Sequence, residues 1–156
     1  MSTGPSYHPF LNEMAQIKWK KLLGIDVIEE IVHLAENHPY YVNAICRRLW
    51  RSDEPPTLSA VRNSWDDYVN KQRDWISNDL ASLTLNRRKV LTALAYQPTH
   101  LVQGQEFSVN VGLTPSSINK AIVDLQKLDM VYQDKLGDFR VLDPSVAYFI
   151  RQHAIK

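Results

Sequence analysis

The chain has 156 residues, 44% of them hydrophobic and 22% charged, with a formal net charge of +1. That is apolar matter for one large core or two small ones, and it excludes a disordered polymer. No run approaches the roughly 20 apolar residues that cross a bilayer, and the single cysteine, Cys46, excludes an internal disulfide and a cysteine-based zinc site.

The near-neutral total hides an asymmetry. Residues 1–83 hold nine Lys/Arg against eleven Asp/Glu, whereas residues 84–156 hold nine against six. The second half therefore carries the excess positive charge, the direction expected for nucleic-acid binding. The opening MSTGPS lacks the basic-then-apolar pattern of a leader, so a cytoplasmic location is expected, with no membrane partner.

In chain order, residues 1–24 form an N-terminal segment in which Gly4-Pro5 and His8-Pro9 favour loop. The alternation from Gln16 to Leu22 predicts a short strand. No other strand lies nearby in sequence, so its backbone groups would go unpaired. Residues 25–83 read as a helical domain. Asp26 with Glu29 resembles a capping box ahead of the stripe Val27, Ile28, Ile31, Val32 and Ala35. That helix is expected to stop near Asn37, a left-handed cap, because Pro39 disfavours a helical His38. A second helix runs from Pro39 to about Arg51, burying Tyr41, Ala44, Ile45 and Leu49. After Asp53-Glu54-Pro55-Pro56, Thr57 caps a long helix carrying Leu58, Val61, Trp65, Tyr68, Val69, Trp75 and Ile76. It is expected to reach about Leu83, with a break near Arg73–Asn78.

Residues 84–156 form the second predicted domain, opening on the N-cap Thr84 and a helix bearing Leu85, Val90, Leu91, Leu94 and Ala95. A short helix around Gln103–Val111 leads to Gly112, which takes the positive φ of a helix stop. Thr114 is the next N-cap, with Pro115 at the first helical position. Ile118, Ala121, Ile122, Leu125 and Leu128 then recur at helical spacing. Val131 and Phe139–Val141 flank a turn at Lys135-Leu136-Gly137-Asp138, and Asp143-Pro144 starts a last helix. The expected fold is mainly α: a helical lid-like bundle followed by a winged helix-turn-helix with a small β-hairpin wing.

Catalytic chemistry is nearly absent from the residues. The histidines at 8, 33, 38, 100 and 153 have no metal-ligand spacing, and no GxSxG elbow or GxxxxGK[ST] phosphate loop occurs. The chain is therefore not expected to be an enzyme by itself. Cys46, among apolar neighbours, reads as an inert buried thiol. The winged helix offers binding instead. Ser116, Ser117, Asn119, Lys120 and Lys127 lie on the polar side of the recognition helix, and Lys135 and Arg140 on the wing. Such residues pair with base edges or hold phosphates. Asp124, Asp134 and Asp138 beside them oppose phosphate, and an ordinary solvated face or a protein-binding module fits the same residues. A self-contained DNA-binding regulator with a helical dimerisation or effector half is the alternative reading.

The stretch LAENHPYYVNAICRRLW, Leu34 to Trp50, resembles the lid segment of archaeal-type P-loop ATPases of the STAND/AAA+ group, which carry a Gly-His-Pro-Tyr-Tyr-like motif at this corner. Pro9-Phe10 through Trp19 is similar to the segment leading into the last strand of the ATPase core, residues 25–83 to the lid, and 84–156 to the winged helix after it. The resemblance implies that His38 and Pro39 approach a bound nucleotide, the proline near its adenine. Asn37 stands where the family usually has glycine. Walker A and B motifs are missing, so the resemblance implies a non-catalytic, C-terminal regulatory region whose core lies elsewhere. No cofactor is implied in this chain; ATP or ADP with Mg is implied for a full-length parent. The partners implied are the missing core and, through the winged helix, DNA or a protein. On this view the orphan strand would pair with the absent core's sheet. Oligomeric state is left open.

Overall fold

A computed structural model describes residues 7–153. These residues form nine helices and one two-stranded antiparallel sheet, so the chain is mainly helical. The chain divides between Lys71 and Gln72 into two compact units.

The first unit contains α1 (His8–Trp19), α2 (Ile25–Leu34), α3 (Pro39–Leu49) and α4 (Leu58–Lys71). Helix α4 packs on both α2 and α3, and α1 leans on α2. Three helices contribute residues one helical face wide to the core: Val27, Ile28 and Ile31 (i, i+1, i+4) from α2, Tyr41, Val42 and Ile45 (i, i+1, i+4) from α3, and Val61, Trp65 and Val69 (i, i+4, i+8) from α4. Trp65 is fully enclosed. Thr57 caps α4, accepting the Ala60 N–H at 3.1 Å.

Not every expectation holds here: His8-Pro9, read as loop, opens α1, and Ala44, expected in the core, is only half-buried. Gln16–Leu22 is not a strand: α1 runs through Trp19 and ends at Lys20, in the left-handed region at φ 59°. Its buried residues are Leu11 and Ala15, one turn apart, while of the apolar members of the alternation Ile17 and Leu22 are 63% and 67% exposed and Trp19 is half-buried. The alternation was a coincidence of a helix with a narrow buried stripe, and with it goes any inference from an unpaired strand to an absent sheet. Nor does Asp26 cap α2. Gly24 is the N-cap, and the Asp26 carboxylate accepts the N–H of Val27, inside the helix.

The second unit opens with α5 (Arg73–Ala81), which packs on the last helix, α9 (Pro144–His153), so the division precedes the 83/84 boundary expected from Thr84. Between them come α6 (Leu85–Tyr96), α7 (Gln105–Val111), α8 (Pro115–Lys127), β1 (Val131–Gln133) and β2 (Phe139–Val141). This is the winged helix-turn-helix. Thr84 caps α6 by accepting from Arg87 N, and Thr114 caps α8 by accepting from Ser117 N. Helix α6 is central, with Val90, Leu91, Leu94 and Ala95 buried against α8, α9 and β2. From α8, Ile118, Ala121, Ile122 and Leu125 enter the core. Leu128 does not; it is the C-cap and stays exposed. In the hairpin Val131 faces Val141, Tyr132 faces Arg140 and Gln133 faces Phe139. Thr99 adds an isolated bridge to Phe139, whose N–H donates to its carbonyl at 2.9 Å.

Candidate functional site

The helix-turn-helix corner is fixed by Gly112 and Ser108. Gly112 sits at φ 70°, ending α7, and both its N–H and that of Leu113 reach the Ser108 carbonyl, at 2.9 and 3.2 Å. The Ser108 hydroxyl closes the turn by donating to the Leu113 carbonyl. Across the corner, the Thr114 hydroxyl accepts the Ser117 N–H at 3.2 Å and donates to the Ser117 hydroxyl at 3.0 Å. Ser117 is thus half-buried in the cap, whereas Ser116, Asn119, Lys120 and Lys127 lie on the exposed side of α8.

The three aspartates that weigh against phosphate are each engaged by a basic group. Asp124 accepts from Arg87 of α6 at 3.0 Å and Asp134 from Arg140 at 2.6 Å, both paired with a fixed positive charge, whereas Asp138 lies 3.1 Å from His100, which is a cation only when protonated. Paired carboxylates present less net field to an approaching anion than free ones. Lys120, Lys127 and Lys135 have no ion pair within 4.0 Å among the described residues.

The wing is organised by Asp134. One carboxylate oxygen accepts the N–H groups of Leu136 and Asp138, each at 2.9 Å, and the other takes Arg140 Nε. Gly137, at φ 90°, permits the tight turn. The Arg140 bond, followed by these N–H donors, holds the Asp134 carboxyl below its ordinary range. Arg140 is therefore tied into the wing, while Lys135 is exposed at its tip beside Leu136, 84% exposed. The structural roles of Ser108 and Asp134 were not foreseen in the sequence; the Asp-x-x-Gly spacing of a side-chain-closed turn is the signal for the second.

In the first unit, the corner between α2 and α3 places two consecutive non-glycine residues in the left-handed region, Glu36 at φ 50° and Asn37 at φ 61°. Asn37 was expected there; Glu36 was not. The reversal is held by Asn37 N–H to the Val32 carbonyl at 3.0 Å and His38 N–H to the Ala35 carbonyl at 2.9 Å. His38 then starts α3, its carbonyl accepting from Tyr41 and Val42, with Pro39 at the first helical position. Both His38 and Pro39 are exposed. The His38 ring meets Tyr41 edge-on at 5.1 Å, and Tyr41 packs edge-on to the enclosed Trp65 at 5.5 Å. The corner is thus anchored from below by aromatic packing. Cys46, also on α3, is half-buried, and that burial pushes its thiol up to about 12.

The corner exposes one edge, that of His38 and Pro39. The sequence supplies no phosphate-binding loop, and no group of three His, Cys, Asp or Glu positioned for a metal ion occurs among the described residues. The described helices include none long and apolar enough to cross a membrane.

No protein-family model matches the chain, and no curated protein sequence does either. Among solved structures, a Walker-type ATPase of Pyrococcus abyssi superposes with a TM-score of 0.64 at 15% identity. The match takes in 92% of this chain but 40% of that one, so the chain spans less than half of its neighbour's length. At this identity the likeness is one of fold: the chain has the fold of a region of that ATPase.

Proposed function

We propose that this chain is a non-catalytic regulatory and binding region of a P-loop ATPase, in which the first unit acts as a nucleotide-sensing lid and the winged helix binds duplex DNA. The observation that carries the ATPase reading is the fold likeness to a Walker-type ATPase over 92% of the chain. The HPYY corner agrees with it: His38 and Pro39 stand exposed on a turn of fixed backbone, available to an adenine edge supplied with its phosphates and Mg by a separate core. The DNA reading rests on the charge pairing of Asp124 with Arg87 and of Asp134 with Arg140, while Lys120, Lys127 and Lys135 stay as the unpaired cations of α8 and the wing.

Titration of a labelled duplex tests the DNA reading. Three lysine–phosphate contacts give a log–log salt slope near −2.7, so affinity is expected to fall roughly 40-fold between about 50 and about 200 mM salt. Absence of binding at the lower salt assigns the winged helix to a protein partner instead. The purified chain is expected to show no ATP turnover; turnover that disappears in His38→Ala overturns the regulatory reading.

A further inference from the structure

A second surface on the winged-helix unit is unaccounted for by DNA binding. A groove of about 510 Å³ runs along α6 and against α7. Its apolar part comprises Leu85, Ala93, Tyr96 and Val111, and its cations are Arg88 and Lys89. No carboxylate lines it, and neither does any residue of α8 or the wing.

The α6 contribution follows helical spacing. Leu85, Lys89, Thr92 and Tyr96 recur at i, i+4, i+7 and i+11, on the side away from the buried Val90, Leu91, Leu94 and Ala95. Leu85 and Tyr96, 61% and 48% exposed, stand at the two ends of the row. Eleven residues of helix separate them by about 17 Å, the length of roughly three turns. Arg88 is held in place by donating to the Leu83 carbonyl at 3.1 Å. Lys89 has no ion pair within 4.0 Å among the described residues.

We infer that this groove docks an acidic amphipathic helix of a partner protein. Its apolar stripe would cover Leu85, Ala93 and Tyr96, and its flanking carboxylates would face Arg88 and Lys89. The apolar floor disfavours a nucleic-acid backbone, and the absence of a lining carboxylate makes the rim complementary to acid. The groove shares no lining residue with the proposed DNA-binding face.

The test uses the full chain and two fluorescein-labelled synthetic helical peptides of about 15 residues. One has a leucine stripe flanked by glutamates; the other has lysine in place of every glutamate. The acidic peptide is expected to bind and to shift the backbone amide resonances of Lys89, Thr92 and Ala93. Lys89→Glu, at an exposed position, is expected to weaken the acidic peptide roughly tenfold and to strengthen the lysine peptide. Lys120→Ala is expected to leave both unchanged. No binding of the acidic peptide, equal binding of the two peptides, or insensitivity to Lys89→Glu overturns the inference. So does displacement of the same resonances by duplex DNA without displacement by the acidic peptide.

Discussion

The Nε–H of Arg140 donates to Asp134 Oδ2 at 2.6 Å, so the single arginine of the recognition-helix and wing segment is bound to the wing's own carboxylate. Two wing N–H groups converge on the other oxygen of that carboxylate. Lysines and arginine on this face therefore have different expected roles.

Lys120→Ala and Lys135→Ala are each expected to weaken DNA binding and to reduce the magnitude of the salt slope by about one. Arg140→Ala is expected to act through wing order, accelerating hydrogen exchange at the Leu136 and Asp138 amides. An arginine effect confined to the salt slope, with those amides unchanged, would show that Arg140 reaches phosphate directly.

Acid should open the wing. The folded Asp134 carboxyl ionises below its ordinary value, so its contribution to folding is present above the unfolded carboxylate pKa, about 4, and is lost as pH falls through the lower folded value. The Arg140 Nε–H resonance and the protection of the wing amides are expected to persist at pH 5 and to disappear at more acidic pH. In Asp134→Asn the amides should lack that pH dependence, because the titrating group is gone. Unchanged acid sensitivity in that variant would trace the transition to another carboxylate.

Cys46 should be a slow nucleophile. With its thiol pushed up to about 12 by burial, almost none is thiolate at pH 8, whereas an unfolded cysteine ionises near 8.5. Alkylation by iodoacetamide at pH 8 is expected to be at least about a hundredfold slower in the folded chain than in urea. The same displacement gives stability that is complete below the unfolded value and declines as pH rises above about 8.5. Equal alkylation rates in the two states would refute the burial argument.

Trp65 and Thr114 separate core from cap. Trp65→Ala removes a fully enclosed indole from the helical unit and is expected to cost about 3–5 kcal/mol. Thr114→Ala removes the acceptor of the Ser117 N–H and is expected to cost about 1 kcal/mol. Urea unfolding monitored at residues of each unit checks both; a Thr114 effect as large as that of Trp65 would mean the hydroxyl does more than cap α8.

Helices with a wide buried stripe were readable from spacing alone. Ile118, Ala121, Ile122 and Leu125, preceded by Thr114-Pro115, specify both the face and the start of α8. Where the buried stripe is narrow, the reading failed: Leu11 and Ala15 leave α1 so little apolar periodicity that the alternation of Gln16–Leu22 prevailed. The Thr99 bridge to Phe139 was invisible for a related reason, since one residue pair has no period. At the candidate site, the residue types were legible but their partners were not. Asp124 looked like a repulsive charge on α8 until Arg87, 37 positions earlier, was seen to hold it.

Local chemistry in the sequence therefore determined the helical bundle, the Gly112 turn, the caps at Thr84 and Thr114, the left-handed Asn37 and the hairpin at Gly137, because each depends on a few adjacent residues. Tertiary structure decided the rest. It turned residues 8–19 into a helix, put α5 with the winged-helix unit, and paired Asp124, Asp134 and Asp138 with basic groups, so that the lysines of α8 and the wing remain unpaired. Burial and charge pairing are set by which side chains meet across the fold, and sequence spacing alone does not encode those meetings.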